Sequence, residues 1–305
     1  MGNTRLTIPV IAALLSVYFF WGTTYLAMKF AIEAFPPHIM LGIRFMIAGA
    51  LMFAWAWIRE RPSITGRQWR GASVVGGLML LGGTGGVAWS QQYVPSNIAA
   101  IVVAAVPLWI ALIRWIALRH DRPGRLATIG LLLGFAGIIL LVRSTSGPSA
   151  AQEHLTGLAM LVFASLFWAS GSLFSRVADL PESPVLAISM QMLTGGFFCL
   201  VAGLALGGAG QIHPSTISLR SLVALGYLVT FGSVVGFSSY IWLLKKTDPA
   251  LASSYAYVNP VVAIVLGWLL AGESLNAGSL AAAGVILAGV ILIVRGTVVP
   301  VIQTD

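Results

Sequence analysis

The sequence predicts an all-α integral membrane protein of ten transmembrane helices, arranged as two inverted five-helix repeats. Three observations carry this. The 305 residues are 58% hydrophobic and only 9% charged, where a soluble domain has about 25% charged residues, and the mean hydropathy is +0.93. Apolar stretches recur ten times with short polar breaks, each near the roughly 20 residues that a membrane-spanning helix needs. Finally, residues of the first half recur in order in the second half at a near-constant separation.

The ten spans are read at 9–31, 38–58, 71–93, 97–117, 124–142, 156–178, 185–207, 220–243, 250–271 and 278–296. Pro36-Pro37 separates the first two. Pro95-Ser96-Asn97 and Thr247-Asp248-Pro249 open spans four and nine, with proline just inside the helix and a capping residue before it. Ile8 to Ala31 is too long for the apolar core of a signal peptide, so no cleavable leader is expected. Gly147 to His154 is the longest polar break mid-chain and divides the halves into 1–147 and 148–305.

The repeat is clearest in the later helices. Ala99, Pro107 and Trp115 recur 153 residues on as Ala252, Pro260 and Trp268, and Gly137, Val142 and Arg143 recur at 152 as Gly289, Val294 and Arg295. Phe20, Trp21, Leu26, Pro37 and Gly49 recur at 147 as Phe167, Trp168, Leu173, Pro184 and Gly196. Gly83 and Trp89 match Gly236 and Trp242. Five spans per half is an odd number, so the halves must face opposite ways across the bilayer. Inverted repeats of this kind mark secondary transporters.

Charge sets the orientation. With a cytoplasmic N-terminus, 13 lysines and arginines fall on the inner side and only Lys29, Arg143 and Arg220 on the outer side. The positive-inside rule then places both termini in the cytoplasm. The net charge of +8 is therefore a topology signal, and no nucleic-acid partner is expected. The lone Cys199 lies in an apolar run and allows no disulfide framework or cysteine metal site.

The polar inventory argues against catalysis. His38, His120, His154 and His213 all lie at span ends or in loops, and no acid falls near mid-span. No nucleophile, base and acid could meet within the bilayer and no metal-ligand cluster exists. Neither an enzyme, a metal nor a cofactor is expected.

The candidate site is built from what remains at mid-depth. Trp55, Trp57, Trp69, Trp115 and Trp242 suit an inner interfacial belt, and Trp89 and Trp268 an outer one. Trp21 and Trp168 fit neither. Small or hydroxylated residues follow each, Thr24 after the first and Ser172 after the second, and Tyr25 lies one turn beyond Trp21. Core packing is the plain alternative to an aromatic-lined pocket. Span three offers Met79 and Gly83, span eight Ser233, Phe237 and Tyr240 on one face, and span nine Tyr257 and Asn259. Helical spacing groups Ser254, Tyr257 and Val261. Pro107 and Pro260 sit near the centres of equivalent helices, where each removes a backbone bond and bends its helix. Together with Gly82, Gly86 and Gly236 they are candidate hinges. Arg44 is the deepest formal charge. It either snorkels to the outer surface or faces a cavity and meets a substrate carboxylate. Its repeat equivalent is Gln191. Spans five and ten carry Gly130, Gly134, Gly137 and Ala281 to Gly284, small-residue faces suited to close packing away from the cavity.

The FFWG and LFWASG openings of the two halves, the YVNPVVAIVLGWLLAGES segment and the final GVILAGVILIV helix together resemble the drug/metabolite transporter superfamily, in its ten-helix EamA-domain branch. The resemblance covers nearly the whole chain. It implies export of small metabolites or toxic compounds across a bacterial inner membrane; amino-acid exporters, including aromatic ones, belong to this branch. The four-helix multidrug relatives carry a coupling glutamate within the first helix, whereas here the first acid is Glu33 at its outer end. The phosphate-sugar relatives rely on several basic cavity residues, for which only Arg44 and Arg114 are candidates here.

The expected function is therefore a secondary exporter of small amphipathic metabolites, amino acids including aromatic ones among them, working by alternating access. Its cavity would lie among spans one, three, four, six, eight and nine. Its partners are the substrate and membrane lipid. One chain supplies both inverted halves, so a monomer is the expected unit. The alternatives are a multidrug or cation efflux pump of the same fold, which would need a carboxylate in the cavity, and a channel, which would need more polar faces than the spans offer.

Overall fold

The computed structural model describes residues 7–116, 124–145, 151–246, 255–273 and 276–297. Among them the secondary structure is helical throughout. The helices are α1 Ile8–Ala31 and α2 Pro37–Glu60, α3 Gly66–Ser90 and α4 Ser96–Ile116, α5 Arg125–Thr145 and α6 Ala151–Phe174, and α7 Pro184–Ala205. They continue with α8, built of Leu219–Tyr227, Leu228–Val235 and Gly236–Lys246 in continuous succession, then α9 Tyr255–Ala271 and α10 Ala277–Thr297. Seven contain a membrane-length apolar segment, and α5, α9 and α10 hold shorter apolar cores.

The boundaries follow local chemistry. Prolines stand in the first turn of α1, α2 and α7, where a missing N–H costs nothing. Thr65 and Gln68 cap α3 reciprocally, as a capping box does. Two expectations need correction. The sixth span ends as an α-helix at Phe174, and residues 175–177 form a turn. Pro95 is the residue before α4, not inside it, and brings no side-chain cap. Instead the Glu273 carboxylate, from beyond the end of α9, accepts the Ser96 and Asn97 backbone N–H groups at 2.7 and 3.1 Å and the Ser96 hydroxyl at 2.9 Å. An anion at free helix N–H groups is favourable. The predicted start of span nine at Thr247-Asp248-Pro249, and the 147/148 division, lie outside the described residues.

Helix pairing is symmetric under exchange of the halves. α1 packs on α8 and α9, while α6 packs on α3 and α4. The two most extensive pairs, α2 with α7 and α5 with α10, map onto themselves, and α3 on α7 is matched by α8 on α2. Each half thus buries its first helix against the other half. Small residues allow the close approaches. A Cβ on Gly289 of α10 would fall 2.7 Å from the Gly130 carbonyl oxygen and from the Gly134 nitrogen of α5. On α2, a Cβ at Gly42 would lie 2.3 Å from Leu200 of α7. The face outside these contacts is apolar: Trp268 is 67% exposed and Trp55 52%, in keeping with interfacial belts.

Two further features pair across the repeat. Gly77–Thr84 in α3 and Leu228–Val235 in α8 are π-helical. The wider turn is uncommon and is frequent at functional sites. In α4 the helix breaks at Ala104-Ala105, just before Pro107, whereas Pro260 lies inside the continuous α9.

Candidate functional site

Between the halves lies a cavity of about 760 Å³, within the range of small-molecule sites. Its deep end is formed by Met28, Arg44, Phe45 and Val87, its middle by Trp21, Met79, Gly83 and Trp168, and its mouth by Arg176, Leu180 and Pro181. Arg176 is exposed and the mouth opens on the α6–α7 connection. A second, shallower depression of about 590 Å³ sits between Phe53, Trp57 and Trp69. Trp57 there is 49% exposed, so this hollow faces the surroundings of the protein and not its interior.

An aromatic box surrounds Trp21. Its ring meets Tyr255 at 4.7 Å and 89° and Phe237 at 5.1 Å and 64°, edge-on geometries that aromatic quadrupoles favour, and lies 5.1 Å from Tyr240 at a 45° tilt. The indole N–H donates to the Gly232 carbonyl at 3.2 Å, an acceptor in the π-helical part of α8. The second tryptophan is seated in the equivalent way: Gly83 abuts Trp168 and its counterpart Gly236 abuts Trp21.

The predicted site residues are largely brought together. Trp21, Thr24, Tyr25, Met79, Gly83, Trp168, Ser172, Phe237, Tyr240 and Asn259 all line the cavity, and so do Pro107 and Pro260. Gly82, Gly86 and Gly236 do not. They are contact points, against Phe167, Ala164 and Trp21 respectively. Tyr257 belongs to α9, but its side chain lies outside the described residues. Val261, grouped with it by helical spacing, is 52% exposed. The face that meets the cavity carries Tyr255 and Asn259, with Val262 one further turn along against Gly22. The i, i+4 pairing of Tyr255 with Asn259 was the available signal.

Two hydroxyls have their protons engaged locally. Thr24 donates to the Trp21 carbonyl at 2.6 Å and Ser172 to the Trp168 carbonyl at 2.8 Å. Their oxygens remain as acceptors. Asn259 is buried, and with its amide nitrogen turned toward them it donates to the Tyr18 and Tyr255 carbonyls at 3.3 and 3.2 Å.

Arg44 does not snorkel. It is 4% exposed, lines the cavity, donates from Nε to the Ser233 hydroxyl at 2.9 Å and stands 4.9 Å over the Phe45 ring. Gln191, its repeat counterpart, lines the same cavity. Arg44 and Phe45 therefore add α2 to the expected lining, and Ala187, Ile188 and Gln191 add α7.

Beyond the deep end the structure is closed. Lys29 donates to the Gln91 carbonyl at 2.7 Å, and the buried Gln91 donates to the Tyr25 carbonyl at 3.0 Å. On the same side Arg220 pairs with Glu33, and Glu273 holds the start of α4. No carboxylate lines the cavity among the described residues, and no metal-binding cluster of His, Cys, Asp or Glu gathers among them.

A family profile matches the chain twice, over residues 7–143 and 155–295, and its description is EamA-like transporter family. The chain belongs to this family. It is 36% identical to the uncharacterized inner membrane transporter YedA of Escherichia coli strain K12, over 98% of this chain and 97% of that one. It is 25% identical to the uncharacterized transporter YoaV of Bacillus subtilis strain 168, over 93% and 96%, and 27% identical to protein PagO of Salmonella typhimurium, over 90% and 89%. A solved crystal structure of a protein 19% identical to the chain superposes with a TM-score of 0.62, covering 93% and 96%; at that identity the likeness speaks for the fold. This EamA-family chain is thus a multi-pass membrane transporter of ten helices.

Proposed function

We propose that this EamA-family transporter exports small amphipathic metabolites, amino acids with aromatic side chains among them, across a bacterial inner membrane by alternating access. The carrying observation is the cavity itself. It has its exposed mouth at Arg176, is aromatic at mid-depth around Trp21 and Trp168, holds the buried Arg44 at its deep end and, among the described residues, has no carboxylate in its lining. Aromatic rings offer stacking and dispersion to an apolar moiety, while the arginine and the hydroxyl oxygens address polar ends. An organic cation would find no counter-charge here, and this weighs against the cation-efflux reading.

In this reading the mouth at Arg176 faces the cytoplasm, as do both termini, because the positively charged loops fall on that side. The closed layer of Lys29, Gln91 and Glu273 is then the outer gate. The two halves, 1–147 and 148–305, rock about the midplane so that the gate opens as the mouth closes. Each chain holds both halves and works as a monomer. The relatives named as inner membrane transporters support the location.

The test is uptake of labelled phenylalanine, tryptophan and a neutral aliphatic amino acid into proteoliposomes, with and without a pH gradient. Saturable uptake of the aromatic pair is expected. Absence of uptake of all three, alongside saturable uptake of an organic cation, would overturn the substrate class in favour of cation efflux.

A further inference from the structure

We propose that Arg44 is the anchor for a carboxylate of the transported substrate. The inference rests on the amphipathic-metabolite reading above and names the group that must be present in such a substrate.

Arg44 is a permanent cation at membrane depth, buried to 4% exposure. A lone charge there is costly, and such residues pair or serve a transported species. Among the described residues it has no neutralising partner. Nε is taken by the neutral Ser233 hydroxyl at 2.9 Å. Among the described residues no protein acceptor meets the two Nη nitrogens, and none of the acids present lines the cavity that Arg44 lines. Glu33 is occupied by Arg220 and Glu273 by the start of α4. What remains is the end-on fork of the guanidinium, whose paired N–H groups match the two oxygens of a carboxylate.

The fork is held in place. Ser233 fixes one edge and is itself fully buried. Gly232 makes the seat: a Cβ there would stand 3.1 Å from Arg44 Nη2 and 2.9 Å from the Thr24 methyl carbon. The same Gly232 accepts the Trp21 indole N–H through its carbonyl. One residue of α8 therefore separates the arginine from the aromatic box. A substrate that places its carboxylate on Arg44 has an aromatic or apolar group within reach of Trp21. It has a hydrogen-bond acceptor for an α-ammonium in the Thr24 hydroxyl oxygen. Because the anion sits at the deep end, the substrate enters carboxylate first.

The test uses purified full-length protein in proteoliposomes and four probes: phenylalanine, 3-phenylpropionate, phenylalaninamide and phenethylamine. The first two keep the carboxylate, the last two lack it. Wild-type protein is expected to take up labelled phenylalanine in competition with 3-phenylpropionate but not with the two probes without a carboxylate. Arg44→Gln raises the half-saturating phenylalanine concentration by roughly tenfold or more, as loss of a charge-assisted pair does, and abolishes that preference. Arg44→Lys keeps the preference in part. Elution of the variants as a single species on gel filtration guards against misfolding, and the wild-type competition series needs no variant at all. Phenylalanine uptake with equal competition by acids and amide, or unchanged by Arg44→Gln, overturns the Arg44 assignment and leaves the transport reading standing. Wild-type protein that takes up neither carboxylate overturns both.

Discussion

At the residue scale, the two mid-depth tryptophans and the buried arginine set the chemistry. Trp168 lines the cavity against Gly83, and Trp21 carries the ring contacts of the box. Truncating Trp168 to alanine removes stacking surface without touching the helix interfaces that hold α5 and α10. Trp168→Ala should lower aromatic amino-acid uptake by about tenfold, equivalent to about 1.4 kcal/mol of binding, while the protein still reaches the membrane. The comparison is Trp268→Phe at an exposed position, which should transport normally; uptake assays with surface quantification of both variants decide. The tryptophans were legible because their depth contradicts the interfacial habit of the residue. Arg44 was legible only as a choice between two outcomes. A sequence shows how deep a charge lies along its helix but not which way that helix is turned, and the Ser233 contact comes from a helix 189 residues away.

At the element scale, the structure relies on close-packed small-residue faces and on a helix cap supplied across the halves. The α5–α10 contact leaves no space at Gly289. Gly289→Val should overpack it, costing about 1–3 kcal/mol. A thermal unfolding scan in detergent should show a lower midpoint, with the half-saturating substrate concentration unchanged because the cavity lies elsewhere. The Glu273 cap ties the end of α9 to the start of α4 at the closed face. Glu273→Gln keeps the shape and removes the charge, and hydrogen bonds accepted by an ionised group are roughly twice as strong as neutral ones. A cysteine placed at Val87, in a Cys199→Ser background, should then react several-fold faster with an impermeant thiol reagent added at the face where α1 ends. An unchanged labelling rate would mean that Glu273 does not hold the gate. The π-helical segments were not anticipated. Glycines at 77, 82 and 83 weaken regular α-helix, but the wide turn depends on the neighbours that α3 and α8 meet.

At the scale of the whole molecule, the pairing of helices repeats under exchange of halves, and each half buries its leading helix in the other. This interlocking lets a change in one half be felt at the cavity wall contributed by the other. The cavity holds no carboxylate among the described residues, so a proton relay through its lining has no acid to use. Uptake of phenylalanine into proteoliposomes should accordingly proceed at the same rate, within about twofold, with and without a pH gradient; a twofold rate difference corresponds to less than 0.5 kcal/mol. Strict dependence on the gradient would direct attention to the carboxylates at the closed face, Glu33 and Glu273.

The sequence by itself determined the solvent, the number and order of the spans, the twofold internal repeat and the depth of each polar or aromatic side chain. All of these follow from one-dimensional quantities: apolar length against bilayer thickness, spacing between matching residues, and position along a helix. Only the tertiary structure decided which face each helix presents. It turned α9 to show Tyr255 and Asn259, with Val261 facing outward; it made Gly82, Gly86 and Gly236 contact points outside the cavity lining; and it brought α2 and α7 into the wall. In these helices nearly every face is apolar, so no moment in the sequence says which side is inward. That is settled by the steric fit between helices far apart in the chain, such as Gly22 on Val262, Gly83 on Trp168 and Gly232 beside Arg44.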